Sequence, residues 1–352
     1  MDRPLVAVVL AGGTGTRLYP ASRSHRPKQF QSFGREQSLL ADTVDRAGFA
    51  DEVYVLTRPE FAESVREHAP QAAVLTEPAP KDTGPALVYA AHRIRDQLSE
   101  AVMVTVPSDH RIDGDFAGTA RTAAEVADST GGLVTVGVEP TRPATGYGYI
   151  QPGERREVDH RETSERASGE QRPANRGGYH TVASFTEKPD RDTAERYVDD
   201  GSYWNAGIFA WSPNAFLGEA RKSSLGPLVE AMDSGDPDRG FAAVDPVSVD
   251  YAVLERTDKA YVVPASFEWD DLGSWDAVER LFEADDAGNV VLGNALLDDA
   301  TDTVVATDGH VSAVGVADLV IASYGDRTLV IPKDRAQEVR EVVAQLREED
   351  LY

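Results

Sequence analysis

An apolar run from Leu5 to Leu10 empties without a spacer into Gly12, Gly13 and Gly15, and the cations Arg17 and Lys28 follow close behind. The run has the length and composition of a buried parallel strand. Glycines let backbone N–H groups turn toward an anion with no Cβ in the way. The two cations can neutralise what those amides hold. A strand that ends this way belongs in an α/β sheet that binds its ligand at the carboxyl ends of its strands, and the ligand is a polyphosphate.

Two commoner glycine loops do not fit. A dinucleotide fingerprint needs Gly-x-Gly-x-x-Gly; Gly13-Thr14-Gly15 supplies the first half, but Leu18 stands at the third glycine. A P-loop needs Gly-x-x-x-x-Gly-Lys, and Gly12 is followed five residues later by Arg17. The full pattern is Leu10-Ala11-Gly12-Gly13-Thr14-Gly15-Thr16-Arg17-Leu18, then Pro20, Pro27 and Lys28, and it resembles the signature of the sugar-nucleotide pyrophosphorylases at every fixed position. Gln29 and Phe30 after Lys28 resemble the mannose-1-phosphate guanylyltransferase branch of that family. Further similar segments occur in the family's order, including Glu77 to Thr83, Pro107 to His110, Phe185 to Pro189, Trp204 to Phe209, Asp271 to Trp275 and Pro332 to Val339. The resemblance covers nearly the whole chain.

At 352 residues the chain exceeds the usual size of one core, so a large domain plus a small one is expected. Without cysteine it can form no disulfide and no thiolate metal site, which suits the cytoplasm. Asp and Glu number 60 against 35 Lys and Arg, a net charge of −25. This balance reads either as a solvated acidic surface or as adaptation to high internal salt of the haloarchaeal kind, where charges are screened beyond roughly 3 Å. Either way nucleic acid is excluded as a partner, since phosphate-backbone binding needs a basic patch. No apolar run approaches a membrane span. Arg3 and the apolar run after it imitate a signal peptide, but cleavage there would destroy the glycine loop.

The first two-thirds alternate strand and helix patterns, which predicts a doubly wound, Rossmann-like sheet. Val53 to Thr57, Ala101 to Val106 and Leu133 to Val138 read as strands; Phe61 to His68, the segment opened by Pro85, and Asp115 to Ala127 read as helices. Residues 153–178 are rich in Glu, Arg, Ser and Gly and read as a mobile surface insertion between paired strands. After about Phe282 come short β-like runs at 290–292, 303–306, 310–314, 319–323 and 328–331, then a helix from Pro332. The expected division is a nucleotidyltransferase domain over 1–284 and a small β domain over 285–352. The resemblance implies that the latter is left-handed β-helix-like and pairs subunits into a homodimer.

The chemistry the resemblance implies is transfer of GMP from GTP to α-D-mannose 1-phosphate, assisted by Mg²⁺. Such a reaction needs positioning and charge neutralisation more than covalent help. Asp109, after the strand Val102 to Val106, and Asp271, on a turn before Gly273, are the implied metal ligands. Each could instead cap a helix, and Asp113 and Asp270 compete for the role. Arg17 and the loop from Leu10 through Ala11, Gly12, Gly13, Thr14, Gly15 and Thr16 would hold the leaving pyrophosphate, with Lys28 near the α-phosphorus and Ser108 beside Asp109. Glu77 would accept both guanine donors, with Thr83 nearby; Lys81 and Gly84 depart from the family's usual arginine and alanine. Lys188 would take the sugar phosphate, and Gly148, Glu187, Asn205 and Gly207 the hexose. His25 and His110 are assigned no catalytic part. The seven histidines lack metal-site spacing, so only the nucleotidyl step is expected. Another hexose phosphate or base, or a silent regulatory relative, remains an alternative; the latter should have lost a cation or metal carboxylate, and Arg17, Lys28, Asp109 and Asp271 are all present.

Overall fold

The computed structural model describes residues 3–98, 100–158, 178–349 and 352. Among these residues fifteen strands form the sheets: β1 (Leu5–Leu10), β2 (Glu52–Thr57), β3 (Ala73–Thr76), β4 (Val102–Pro107), β5 (His110–Gly114), β6 (Leu133–Val138), β7 (Tyr149–Glu157), β8 (Gly178–Thr186), β9 (Tyr203–Trp211), β10 (Ala260–Pro264), β11 (Phe267–Asp271), β12 (Val290–Asp298), β13 (Val304–Val314), β14 (Leu319–Tyr324) and β15 (Arg327–Pro332). Nine of them make the central sheet, in the order β3-β2-β1-β4-β9-β6-β10-β8-β7. The apolar run predicted to be a buried strand is β1, parallel to β2 and β4. Its alternation serves two faces: Val6 and Val8 pack under the helix Thr83–Gln97, while Ala7 and Val9 pack against Leu40 and Val44 of the helix Leu39–Arg46. Phe116, Ala120, Ala123 and Ala127, on the helix Phe116–Thr130, cover Val104 and Val136. The sheet is thus α/β as expected, but mixed: β9 lies antiparallel between β4 and β6.

Two expectations need correction. The segment beginning at residue 153 is not wholly an insertion, because β7 runs to Glu157 and β8 starts at Gly178, and the two pair antiparallel. Residues 154–157 are exposed; a backbone ladder needs hydrogen bonds rather than apolar side chains, so polar composition hid the strand ends. Residues 159–177, the rest of that insertion, lie outside the described residues. Towards the C-terminus, the runs 303–306 and 310–314 are one strand, β13, interrupted only by a register shift against β12 near Gly293.

β12, β13 and β14 are parallel and β15 closes the layer antiparallel, with the helix Val339–Glu348 after it. This unit shares one core with the glycine loop's flank: Leu18, Tyr19 and Trp275 pack with Val290, Val304, Val320, Val339 and Val343. Arg23 reaches from the loop side to the Tyr324 carbonyl at 2.9 Å and to Asp326 at 2.7 Å. The glycine loop is therefore buttressed from behind by the C-terminal unit.

Candidate functional site

The glycine loop leaves β1 at its carboxyl end, beside the end of β4, where Leu10 pairs in register with Pro107. Ala11 is buried and spent on the fold: its N–H donates to Leu56, and its carbonyl accepts from Thr57 Oγ1 and Gln29 Nε2. Gln29, quoted for its place in the motif, thus anchors the loop. The Thr14 carbonyl accepts from the Ser22 hydroxyl. At Gly15, φ is +66°, and a Cβ would lie 2.8 Å from the Lys28 side chain. The glycine gives the left-handed turn and also the room for the lysine stem.

Lys28 is buried, and its ammonium contacts Asp109 Oδ2, with Asp271 Oδ1 3.7 Å away and the Leu272 carbonyl at 3.4 Å. Arg17 Nη2 lies 3.7 Å from Asp271 Oδ2. Burial alone would lower the Lys28 pKa, but the charges of Asp109 and Asp271 outweigh it and the net shift is upward. Burial likewise works to raise Asp109, and Lys28 reverses it to a net lowering. Both groups are therefore held charged. Residues from three distant parts of the chain, Arg17 and Lys28, Asp109, and Asp271, meet here.

The meeting is arranged by a small antiparallel ribbon of β5 and β11, in which His110 pairs with Asp271 and Arg111 with Asp270. Neighbouring residues on a strand point to opposite faces. Asp270 therefore turns away and is held by Arg280 through two bonds of 3.0 Å, and by Tyr147 at 3.1 Å. Asp113, at the far end of β5, is exposed. The ribbon brings Asp109 together with Asp271 and leaves both competitors out.

His110 Nε2 stands with the two carboxylates in a group whose ligand atoms lie within 4.8 Å of one another. Its other nitrogen decides its role. Nδ1 accepts the Trp269 indole N–H at 3.0 Å, and an indole can only donate. The ring therefore carries its proton on Nε2, facing Asp109 Oδ1 at 3.9 Å. A protonated Nε2 has no lone pair for a metal; the oxygen set of Asp109 and Asp271 is what can hold one. Asp271 Oδ1 is buried with no hydrogen-bond partner among the described residues, as a carboxylate oxygen awaiting a cation would be. Burial also lowers the His110 pKa, so the ring stays neutral.

Beside this cluster a cavity of about 280 Å³ is lined by Leu10, Gly12, Gly13, Arg58, Glu77, Thr83 and Asp109, among others. Glu77 is buried, its Oε2 has no partner among the described residues, and its Oε1 would be 3.0 Å from a Cβ at Gly12. Burial, only partly offset by Arg58, pushes its carboxyl up to about 7. Thr83 lines the cavity while its hydroxyl accepts from the Val249 N–H at 3.0 Å. Lys81, by contrast, is occupied by the Val244 carbonyl at 2.6 Å. Gly84 has a reason for lacking a side chain: a Cβ would sit 2.6 Å from the Val247 carbonyl oxygen. Ser108 is buried and donates its N–H to the Leu10 carbonyl, tying β4 to the loop.

The remaining candidates form a second cluster. Lys188 is exposed, with φ +48°, and its ammonium is 2.9 Å from Glu187 Oε1. Glu187 Oε2 lies where a Cβ at Gly148 would be, 2.4 Å away, so Gly148 makes room for it. Gly207, at φ +66°, turns β9 past Pro107 and His110. Asn205 is tied into the fold. Its Oδ1 accepts from Thr135 Oγ1 at 2.9 Å and from the Gly207 N–H at 3.1 Å, and its Nδ2 donates to Asp250 Oδ1 at 2.9 Å. The amide is largely committed to the protein. Sequence reasoning misses both Asp250 and Trp269; neither stands in a motif with a chemical rationale of its own, and only pairing across the fold reveals them.

A larger cavity of about 560 Å³ is lined by Arg111, Trp204, Trp269 and Arg280 among others. It takes in the two passed-over carboxylates, Asp113 and Asp270, and none of the implied ligand-binding residues.

Known proteins resemble this chain over nearly its whole length. The Nucleotidyl transferase family model matches residues 6–288, and that of the MannoseP isomerase/GMP-like beta-helix domain matches residues 293–346. The chain is 34% identical to a mannose-1-phosphate guanylyltransferase of Klebsiella pneumoniae, over 98% of this chain and 74% of that protein. It is 35% identical to the mannose-1-phosphate guanylyltransferase RfbM of Salmonella typhimurium, over 97% of this chain and 72% of that protein. The crystal structure of a mannose-1-phosphate geranyltransferase from Thermus thermophilus superposes with a TM-score of 0.85 at 33% identity, covering 98% of this chain and 99% of that one.

Proposed function

The chain belongs to the nucleotidyl transferase family, among its mannose-1-phosphate guanylyltransferases, and from that premise we propose how its residues share the work. The enzyme transfers GMP from GTP to α-D-mannose 1-phosphate, giving GDP-mannose and pyrophosphate. A phosphate oxygen of the sugar attacks the α-phosphorus of GTP, and the bond from that phosphorus to the bridging oxygen of pyrophosphate breaks. No proton need move. The task is to crowd four phosphate groups together against their repulsion.

The observation that supports these assignments best is the Lys28 ammonium held between Asp109 and Asp271 at the glycine loop. Lys28 stands where charge grows at the α-phosphorus. Arg17 and the amides of Gly13 to Thr16 hold the departing pyrophosphate. Asp109 and Asp271 are the ligands of a divalent cation, and an all-oxygen donor pair suits Mg²⁺. When bound, that cation supplies positive charge to the phosphate oxygens. The His110 Nε2–H faces Asp109 Oδ1 at 3.9 Å and adds a donor to the rim of the site.

Glu77 in the 280 Å³ cavity reads guanine, because one carboxylate can accept from N1–H and the N2 amino group side by side. Lys188 takes the phosphate of the sugar, and Glu187, with the backbone at Gly148 and Gly207, takes its hydroxyls. Residues 1–284 form the catalytic domain and 285–352 the small β domain. Leu296, Val314 and Val330, 59%, 64% and 59% exposed on the latter, suit a homodimer interface. No helix of the described residues is long and apolar enough to cross a membrane, and we place the enzyme in the cytoplasm.

The test is pyrophosphate release from GTP, ATP, UTP, CTP and dTTP against mannose and glucose 1-phosphates. GTP with mannose 1-phosphate should be fastest. A faster pair would reassign the substrate, and binding of GDP-mannose without turnover of any pair would favour a regulatory relative.

A further inference from the structure

Asp250 is a carboxylate that none of these roles uses. It opens a π-type turn, Asp250–Leu254, closed by the Glu255 N–H on the Asp250 carbonyl at 2.9 Å. Such turns are rare and frequent at functional sites. The side chain accepts from Asn205 Nδ2, and Asn205 is in turn locked by Thr135 and Gly207. Asn205 and Glu187 both flank Gly148: the Asn205 N–H donates to the Gly148 carbonyl at 2.8 Å, and a Cβ on Gly148 would meet both Glu187 Oε2 and the Asn205 side chain. Asp250 therefore stands in the same cluster as Glu187 and Lys188, whose charges both bear on it, and it is half-buried.

The segment that carries Asp250 is fastened to the other subsite. Val247 exchanges backbone hydrogen bonds with Lys81 and Gly84, and the Val249 N–H donates to Thr83 Oγ1. Thr83 lines the cavity that holds Glu77. One short stretch thus spans from the nucleotide cavity to the sugar cluster, with Asp250 at its end.

We propose that Asp250 is a specificity-determining residue for the hexose, accepting a hydrogen bond from a sugar hydroxyl with the carboxylate edge that Asn205 leaves free. This rests on the functional reading above. Asn205, through its Nδ2 donor, holds Asp250 in place. The electrostatics agree with a carboxylate awaiting a donor. Burial first, and then the charge of Glu187, pushes the Asp250 carboxyl up to about 7, with Asn205 and Lys188 working the other way. Glu255, whose carboxylate accepts from the Glu187 backbone N–H, completes the charged surroundings. A sugar hydroxyl reaching Asp250 would give its carboxylate a further donor beside the Asn205 amide.

The experiment compares wild type with Asp250→Asn on mannose 1-phosphate and its singly deoxygenated analogues, at saturating GTP. The amide is nearly isosteric. The expected result is a KM for mannose 1-phosphate raised about 10- to 100-fold, with kcat and the KM for GTP changed less than about threefold. Wild type should reject one deoxy analogue more strongly than the others, and the variant should lose that one preference. Asp250→Ser serves the same assay if the amide variant melts early. An unchanged KM, or equal loss on every analogue with kcat and GTP affinity falling together, would overturn the proposal. Wild type that ignores mannose 1-phosphate altogether would instead overturn the functional reading.

Discussion

The Trp269 indole donates to His110 Nδ1 at 3.0 Å, and through that bond a residue on β11 sets the tautomer of a residue on β5. The imidazole is thereby turned from a possible metal ligand into a ring whose Nε2–H faces Asp109 at 3.9 Å. The site keeps an oxygen-only donor pair, the kind hard cations prefer.

Trp269→Phe should release that constraint. Both tautomers become accessible, and an Nε2 lone pair can then join Asp109 and Asp271. Imidazole favours Ni²⁺ and Zn²⁺ over Mg²⁺. Inhibition of the Mg²⁺-supported reaction by Ni²⁺ should therefore tighten by roughly tenfold. An unchanged half-inhibitory concentration would mean that Trp269 does not govern the donor set.

Asp109→Asn and Asp271→Asn should each reduce kcat by roughly 10²-fold or more, since each removes a charge that the transition state needs. Their stabilities should differ. Asp109 is the direct partner of a buried ammonium, whereas Asp271 stands 3.7 Å from it. Asp109→Asn strands the Lys28 charge and should cost about 3–5 kcal/mol, with a clearly smaller loss for Asp271→Asn. Thermal melts of the two variants check the order; the reverse order would show that Asp271 is the main partner of Lys28.

Glu77 has a carboxyl pushed up to about 7 by burial, and only its ionised form accepts both guanine donors. The kcat/KM for GTP should therefore rise with pH through about 7, and the rise should be absent in Glu77→Gln. At pH 8 the variant should lose roughly 10- to 100-fold for GTP and much less for ITP, which lacks the N2 amino group. The same group affects stability with the opposite sign. Its folded pKa is above the unfolded value of about 4.3, so the stability it contributes is present at low pH and falls as pH rises toward 7. Equal losses for GTP and ITP would make Glu77 a support of the loop.

A net charge of −25 sets up self-repulsion that salt screens. The melting temperature should rise as KCl is raised from about 0.1 to 2 M, because the exposed ion pairs that salt weakens are worth little. A flat or falling curve would show that the acidic surface is already at ease in low salt.

Much of this enzyme was legible in residue order alone. The run Leu5 to Arg17 dictates a strand, a left-handed turn at Gly15 and a cationic loop, because apolar periodicity and glycine backbone freedom are local properties. Helix starts were similarly local, with Asp115 capping Phe116–Thr130 through the Gly118 N–H. The polar ends of β7 and β8 were not, since a strand held by backbone ladders need show no pattern in its side chains. Nor could spacing choose between Asp270 and Asp271. Adjacent carboxylates on a strand differ only in which face they take, and the register of β11 on β5 decides that. The same pairing sets the His110 tautomer, and the contact of Asp250 with Asn205 joins residues 45 positions apart. The chain order specified which chemical groups are present. Which of them meet, and in which protonation state, depends on distance and burial, and those exist only once the chain has folded.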